Sequence, residues 1–229
     1  MKLGIMQPYF LPYIGYWQLL AAVDKYVVYD DVNYIKGGWI NRNNFLVQEQ
    51  KKLVTFSLNG ASPNKIINSL SIKDNFASFI GLLNCNYKKA PYFKDIMSLV
   101  TNIISFDKSK LSLFLYNSIK EIAHYLDINT ELILSSDLKK DNSLKGQDKI
   151  IHMCKLLKAN EYYNAIGGQK LYNSTIFEKN NIKLIFVQPL LKPYKQFKND
   201  FIGSLSSLDV PMFNSKEEVK KMLQDYKLI

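Results

Sequence analysis

The chain has 229 residues, of which 47% are hydrophobic and 22% are charged, the composition of a globular protein with room for one large α/β domain. No apolar run approaches the roughly 20 residues of a membrane-spanning helix, and none has the length of a signal peptide's apolar core, so we expect a cytoplasmic protein with no transmembrane segment. The formal charge is +10, but the lysines are spread along the whole chain, which argues against a DNA-binding protein.

The amino-terminal part predicts a strand, a helix and a second strand. Residues 2–6 form a short apolar run, 15–23 have an apolar face at helical spacing, and 25–29 contain β-branched residues. Pro8 and Pro12 prevent regular strand pairing between the first strand and the helix. This order is that of the first crossover in a parallel sheet.

Strands and helices alternate along the rest of the chain. Strands are predicted over 52–58, 131–134, 162–166 and 182–187, and helices over 146–157, 171–179 and from the capping box of Ser215 and Glu218 through Tyr226. The middle segment, about 72–126, is predicted to be mostly helical. The pattern predicts one α/β domain over residues 1–229, with an open, mostly parallel sheet and flanking helices.

Polar clusters follow four of the predicted strands. In chain order they are Gln7-Pro8-Tyr9, Asp30-Asp31, Ser135-Ser136-Asp137 and Gly167-Gly168. Open α/β sheets bind ligands at the carboxyl ends of their strands. We therefore predict that these clusters belong to one site.

Standard cofactor and catalytic signatures are missing from the sequence. There is no G-x-G-x-x-G after the first strand, no G-x-x-x-x-G-K-[ST], no H-E-x-x-H and no G-x-S-x-G. This disfavours a nicotinamide enzyme, a P-loop kinase, a zinc protease and an α/β-hydrolase. Cys85 and Cys154 have neither a disulfide nor a metal-ligand spacing, so we predict no metal site and leave the cofactor unassigned.

The aromatic segment after the first strand contains the pattern F-x-P-x-x-G at residues 10–15. It resembles the turn of the nucleotidylyltransferase superfamily, which predicts a HUP-like sheet by analogy of fold. Tyr13 and Tyr16 stand where that superfamily has two phosphate-binding histidines, so adenylyl transfer of the usual kind is disfavoured. We predict that Tyr13 and Tyr16 stack on a sugar or base. The alternative is that Tyr9, Phe10 and Tyr13 only pack against the following helix.

Arg42 is the only arginine in a chain rich in lysine. A guanidinium group grips carboxylate or phosphate with two parallel bonds and stacks on aromatic rings, whereas an ammonium group is a point charge. We predict that Arg42, with Lys36, clamps an anionic substrate group, and that Trp39 stacks on a sugar or base. The alternative is a structural arginine that holds a loop through backbone carbonyls or a buried aspartate.

Three features are candidates for acid–base or phosphate chemistry. The Asp30-Asp31 pair has the chemistry to bind a metal, orient a sugar hydroxyl or accept a proton from an amine, or it only initiates a turn. His152 has a near-neutral titration range and is either a general base or a structural helix residue. Gly167-Gly168 before a helix presents backbone N–H groups that suit phosphate.

Blocks over nearly the whole chain resemble the WbqC-like protein family, which is encoded in O-antigen and capsule gene clusters. The resemblance is carried by residues 4–17 and 29–43, then by 135–138, 162–168 with Leu171-Tyr172, and 205–210 with Phe213-Asn214. It implies a glycan-modifying enzyme. One role proposed for the family is glycine transfer to the amino group of a dideoxyamino sugar, and the resemblance carries no established set of catalytic residues.

We therefore predict a transferase of O-antigen or lipopolysaccharide biosynthesis that adds an acyl or aminoacyl (glycyl) group to the amine of a nucleotide-linked amino sugar. Because no nucleophilic serine or cysteine stands out, we expect direct amine attack on an activated donor, with aminoacyl-tRNA or a carrier protein still open as its source. The expected base is Asp30 or Asp31, with His152 second. The expected substrate contacts are Gln7, Pro8, Tyr9, Tyr13, Tyr16, Lys36, Trp39, Arg42, Asn43, Ser135, Ser136, Gly167, Gly168 and Tyr172.

Two other functions remain open from the sequence. One is an ATP-dependent amide ligase that adenylates a small carboxylic acid, which would need ATP and magnesium. The other is a non-catalytic protein of polysaccharide assembly that binds a sugar nucleotide.

Overall fold

The computed structural model describes residues 1–198 and 200–229. In chain order, its strands are β1 (Lys2–Met6), β2 (Lys25–Val28), β3 (Arg42–Val47), β4 (Gln50–Thr55), β5 (Leu58–Asn59), β6 (Ser71–Ile72), β7 (Glu131–Leu134), β8 (Glu161–Ala165), β9 (Lys183–Pro189) and β10 (Tyr226–Leu228). Its helices are α1 (Ile14–Ala21), α2 (Ala77–Tyr87), α3 (Phe93–Ser105), α4 (Leu111–Tyr125), α5 (Gly146–Leu156), α6 (Ser174–Lys179), α7 (Asp209–Phe213) and α8 (Lys216–Met222). Short 3-10 helices cover Ile67–Ser69, Ser135–Asp137 and Ile166–Leu171.

Six strands form the central sheet in the order β10-β9-β8-β1-β2-β7. Five of them are parallel, and β10 pairs antiparallel with β9 at the edge. When the parallel strands alone are numbered along the chain, their order is 3-2-1-4-5, that of a doubly wound sheet. The prediction of an open, mostly parallel α/β sheet is therefore confirmed, and the order reverses between β1 and β8.

Helices cover both faces of this sheet. One face carries the larger core, which includes Trp17 and Leu20 of α1 and Phe114 and Ile119 of α4. The other face packs Leu3, Ile5 and Val27 against α5 and α6. Right-handed crossovers that build a sheet in opposite directions put their helices on opposite faces, which accounts for α1 on one side and α5 on the other.

Phe10 anchors the segment after β1 to the helices between β6 and β7. Its ring centroid lies 5.7 Å from that of Phe76, 5.5 Å from that of Phe79 and 6.2 Å from that of Phe114. Packed aromatic pairs of this kind contribute about 0.5–1.5 kcal/mol each beyond the area that they bury. The loop at the carboxyl end of β1 is thus held by the core.

Two predicted elements differ from the structure. The strand predicted over 52–58 is β4, which pairs with β3 in a hairpin separate from the central sheet. The helix predicted through Tyr226 is wrong at its end, because α8 ends at Met222 and Tyr226 begins β10. That segment completes the hydrogen bonds of β9, a tertiary interaction that outweighs helical periodicity.

No helix in the described part of the chain is both long and apolar enough to cross a membrane.

Gly15 and Gly81 provide a paired test of packing at the start of α1. A Cβ atom at Gly15 would lie 2.4 Å from the Tyr13 ring and 2.6 Å from Cγ of Pro189, whereas one at Gly81 in α2 meets nothing within 4 Å. Gly15→Ala should lower the free energy of unfolding by about 1–3 kcal/mol through overpacking. Gly81→Ala should raise it by about 1 kcal/mol through helix propensity. Urea unfolding measures both, and equal effects would contradict this packing.

Candidate functional site

The face of the sheet under α5 changes from apolar to polar at the carboxyl ends of its strands. Ile5, Val27 and Ile133 point toward α5, and one alternation further on stand Gln7, Tyr29 and Ser135. These three residues are neighbours across the strands, because each follows one of the paired residues Met6, Val28 and Leu134. We call Gln7, Tyr29 and Ser135 the polar row.

Gln7 lies at the point where the strand order reverses. In doubly wound sheets this point opens a crevice outside the strand ends and binds the ligand. Gln7 is partly exposed, and its side-chain amide makes no hydrogen bond within the described residues. Its donors and its acceptor are therefore free for a ligand.

Asp30 joins the ends of β2 and β7. Its Oδ1 accepts a hydrogen bond from the backbone N–H of Ser136 at 2.9 Å, and its Oδ2 accepts one from the Ser136 hydroxyl at 2.8 Å. The residue is only 1% exposed. With both oxygens occupied and no access from solvent, Asp30 acts here as a structural clamp together with Ser136.

Asp31 forms a mostly buried charged cluster with Lys140 and Lys149. Its Oδ2 lies 2.6 Å from Nζ of Lys140 and 4.0 Å from Nζ of Lys149, and the three side chains are 13%, 1% and 9% exposed respectively. Lys140 also donates to the backbone carbonyl of Ser135. Two ammonium groups face one carboxylate, so the cluster carries a net positive charge.

Asp31 is held in its ionised form by this cluster. Burial raises the pKa of its carboxyl, but the hydrogen bond from Lys140 and the charges of both lysines outweigh burial, and the pKa lies below its usual range. Asp31 is therefore a carboxylate at neutral pH. Of the predicted aspartate pair, Asp31 is the partly exposed residue and Asp30 is buried.

Tyr29 connects the charged cluster with the segment after β8. Nζ of Lys149 lies 5.6 Å from the centroid of its ring. Burial, then the nearby Asp31 and Tyr172, raise the pKa of its phenol to about 12. The hydroxyl therefore keeps its proton at neutral pH and is available as a donor.

Tyr172 and the two glycines follow β8. The Tyr172 hydroxyl accepts a 3.4 Å hydrogen bond from Tyr162. Gly168 packs against Asn164, whose Nδ2 would lie 2.6 Å from a Cβ at that position, whereas Gly167 faces open space. The Gly-Gly pair lies in a 3-10 helix at the same sheet edge as the polar row.

Arg42 combines the two roles that its sequence context leaves open. Its Nε donates to the carbonyl of Gly38 at 2.7 Å, and its guanidinium carbon lies 5.9 Å from the Trp39 ring centroid. Its Nη groups have no partner in the part of the chain that the structure describes. One edge of the guanidinium thus holds the loop, and the other edge is free.

The loop that carries Arg42 is exposed and anchored near the segment after β1. Trp39 is 50% exposed and Lys36 is also exposed. The Phe10 N–H donates to the carbonyl of Ile40 at 3.1 Å, and the Asn43 amide donates to the carbonyls of Phe10 and Leu11. Asn43 is therefore an anchor, and Trp39 and Arg42 are the side chains that the loop presents.

The tyrosines after β1 differ in exposure. Tyr16 is 1% exposed and packs edge-to-face on Tyr9 at 5.3 Å, so its ring belongs to the core. Tyr9 accepts a 3.2 Å hydrogen bond from the Tyr13 N–H. Tyr9 and Tyr13 are partly exposed, while Pro8 is buried. Of this aromatic group, Tyr9 and Tyr13 remain available to a ligand.

His152 lies on α5 with one ring nitrogen occupied. Its Nε2 accepts a 3.1 Å hydrogen bond from the backbone N–H of Asp141. This contact ties the loop before α5 to the helix. Within the described residues, no three His, Cys, Asp or Glu side chains are grouped so as to hold a metal ion.

Sequence reasoning did not find Tyr29, Lys140 or Lys149. Both lysines lie more than a hundred residues after Asp31, among many lysines that are exposed. Lys149 alone carries a sequence signal, since it stands in the first turn of a helix on its apolar side.

Comparison with known proteins identifies the family. The model of the WbqC-like protein family matches residues 7–221, so the chain belongs to that family. It is 27% identical over 228 residues to the uncharacterized protein Rv1507c of Mycobacterium tuberculosis (strain H37Rv), with 97% of each chain covered. No solved structure matches the chain significantly.

Lys140→Met tests how much the Lys140 ammonium group contributes to the stability of the charged cluster. Leaving a buried carboxylate without its close partner should cost about 3 kcal/mol at neutral pH, and the pKa of Asp31 should rise. A lowered carboxyl pKa contributes stability that is complete above the unfolded-state pKa and is lost as the pH falls through the folded-state pKa. The difference in unfolding free energy between wild type and Lys140→Met should therefore shrink toward acid pH. Urea unfolding across pH measures this.

The control for this prediction is the double variant Asp31→Asn with Lys140→Met. It removes both charges of the pair and should cost less than the sum of the single changes. Additive costs would mean that the two side chains do not interact.

Proposed function

We propose that this WbqC-like protein transfers an acyl or aminoacyl group, such as glycyl, to the amine of a nucleotide-linked amino sugar. The observation that carries the proposal is that two functional groups follow neighbouring strands at the carboxyl edge of the sheet, one of them at the point where the strand order reverses. The ionised carboxylate of Asp31 follows β2, and the unbonded carboxamide of Gln7 follows the neighbouring β1. These are an acceptor for an amine proton and a donor for an oxyanion.

The chemistry needs one bond formed and one broken. The sugar amine attacks the acyl carbon, the new C–N bond forms, and the bond from the acyl carbon to the leaving group breaks. Once bonded to the acyl carbon, the amine nitrogen becomes acidic, and Asp31 takes its proton and returns it to the leaving group. The Gln7 amide donates to the carbonyl oxygen as its charge develops.

The environment of Asp31 limits its role as the base that accepts the amine proton. A carboxylate with a lowered pKa is a weak base toward a free ammonium ion, so the amine reaches the acyl carbon already neutral. Oδ2 is occupied by Lys140 and Oδ1 is buried in this structure. Proton transfer therefore requires a rotation of the carboxylate when the substrate binds.

Arg42 and Trp39 suit the second substrate group. The free Nη edge of Arg42 fits a planar carboxylate or a phosphate, and the exposed Trp39 ring offers a stacking surface. The loop of residues 34–42 begins just after Asp31 and is bonded to the segment after Gln7. It therefore borders the same sheet edge as the reacting groups.

A second candidate is an ATP-dependent amide ligase, which the 3-2-1-4-5 strand order favours because such sheets bind nucleotides at the reversal point. It would join a carboxylate to ATP as an acyl adenylate with release of pyrophosphate. Attack by the amine would then form the amide and release AMP. Formation of AMP only in the presence of ATP, magnesium and the acid would identify this reaction.

The test is a direct assay of product. Purified protein is incubated with nucleotide-linked amino sugars and activated glycyl donors, and mass spectrometry follows the nucleotide sugar. We expect a product heavier by one glycyl residue, with none from the matching sugar that carries a hydroxyl in place of the amine. Tight binding without any product over a panel of donors would instead indicate a binding protein of polysaccharide assembly.

Arg42→Lys should reduce kcat/KM at least tenfold, because an ammonium group cannot reproduce the free edge of the guanidinium. Loss of the bond to the Gly38 carbonyl should cost only about 1 kcal/mol of stability, a few degrees in Tm at this chain length. Kinetics and a thermal melt are compared on the same preparation. A drop in Tm well beyond that, with kcat/KM unchanged, would make Arg42 purely structural.

A further inference from the structure

The amino-terminal end of α5 lies at the sheet edge that carries the polar row. α5 has eleven residues, and its N-cap residue Lys145 makes no side-chain capping hydrogen bond. The backbone N–H groups of Gly146, Gln147 and Asp148 have no acceptor within the described residues. An uncapped helix end presents free donors and a partial positive charge.

Lys149 adds a full charge to this helix end. The residue is 7% exposed, yet its ammonium group makes no hydrogen bond within the described residues. Its nearest carboxylate oxygen, on Asp31, is 4.0 Å away, and that carboxylate is already bonded to Lys140 at 2.6 Å. Asp31 thus forms only a long ion pair with Lys149. A buried ammonium group without a hydrogen-bond acceptor is costly, and a bound anion would lower that cost.

A cleft opens beside the amino-terminal end of α5. Gln147 of α5 accepts a 2.8 Å hydrogen bond from the backbone N–H of Asn173, which fixes the segment after β8 against the helix. The cleft between them has a volume of about 390 Å³ and is lined by Gln147, Asp148, Lys170 and Leu171 through Asn173. Besides burial, Tyr172 on its wall contributes to the raised pKa of the Tyr29 phenol, and Lys149 contacts the Tyr29 ring.

We propose that the amino-terminal end of α5, the Lys149 ammonium group and the Tyr29 hydroxyl form a subsite for a phosphate or diphosphate group. A helix end, an ammonium group and a phenol together supply donors for the several oxygens of a tetrahedral anion. A planar carboxylate is better matched by the fork of Arg42. The inference rests on the proposed function in one respect, because the phosphate groups are those of the nucleotide-linked sugar.

The subsite assigns an orientation to that substrate. Its phosphate groups lie on the α5 side of the crevice, beside Lys149, and its sugar extends over the polar row toward Gln7. The net positive charge of the Asp31 cluster is then balanced by the ligand.

Inorganic pyrophosphate is the probe, since it needs no turnover. Calorimetric titration of the full chain at fixed ionic strength should show saturable binding, with acetate as the carboxylate control. Lys149→Met should weaken binding at least tenfold. Lys155→Met, the same substitution on an exposed lysine of α5, should leave the affinity within twofold.

Tyr29→Phe keeps the subsite testable if Lys149→Met does not fold, because it removes only one hydroxyl group. It should weaken pyrophosphate binding severalfold with little change in Tm. Equal affinity in wild type, Lys149→Met and Tyr29→Phe, or no binding to wild type, would overturn the subsite. Pyrophosphate binding that depends on Lys149, together with no acyl transfer in the product assay, would overturn the proposed function and leave the subsite standing.

Discussion

The reversal of strand order between β1 and β8 is the constraint on which the candidate site depends. Right-handed crossovers place α1 on one face of the sheet and α5 on the other, so the two helices start on opposite sides of the strand ends between them. Sheets of this order open a crevice at such a point. Gln7 stands at this point because it is the residue that follows β1.

The charge balance at this edge sets what the crevice can bind. Burying three ionised side chains is costly unless they are paired, and the pair of Asp31 and Lys140 satisfies that need. Lys149 is left with a 4.0 Å ion pair to the same carboxylate and with no hydrogen bond from its ammonium group to any described residue. The two lysines thus differ in role: Lys140 orients the carboxylate of Asp31, and Lys149 is the proposed ligand contact.

Much of the sheet and of its functional edge follows from local sequence patterns. β1 and β2 are short apolar runs, and the polar residues directly after them lie at the carboxyl edge as expected. Arg42 stood out as the only arginine, although β3, which it begins, was not predicted, since Asn43 and Asn44 have low strand preference. The lysines of the charged cluster could not be predicted, because their burial depends on contacts with Asp31 across more than a hundred residues. Tyr16 has the same local signal as Tyr9, and only packing in the core separates them.

Hydrogen exchange with and without a nucleotide-linked amino sugar tests most directly whether this edge is the ligand site. We expect slower exchange in peptides that cover residues 7–16, 29–43, 145–149 and 166–173. These peptides come from separate parts of the chain and lie together at the carboxyl ends of the strands. Residues 127–130, at the opposite edge, should be unaffected. Protection confined to that opposite edge, or to the basic cleft beside Cys85, Lys88 and Lys89, would contradict the assignment of the ligand site to the carboxyl edge of the sheet.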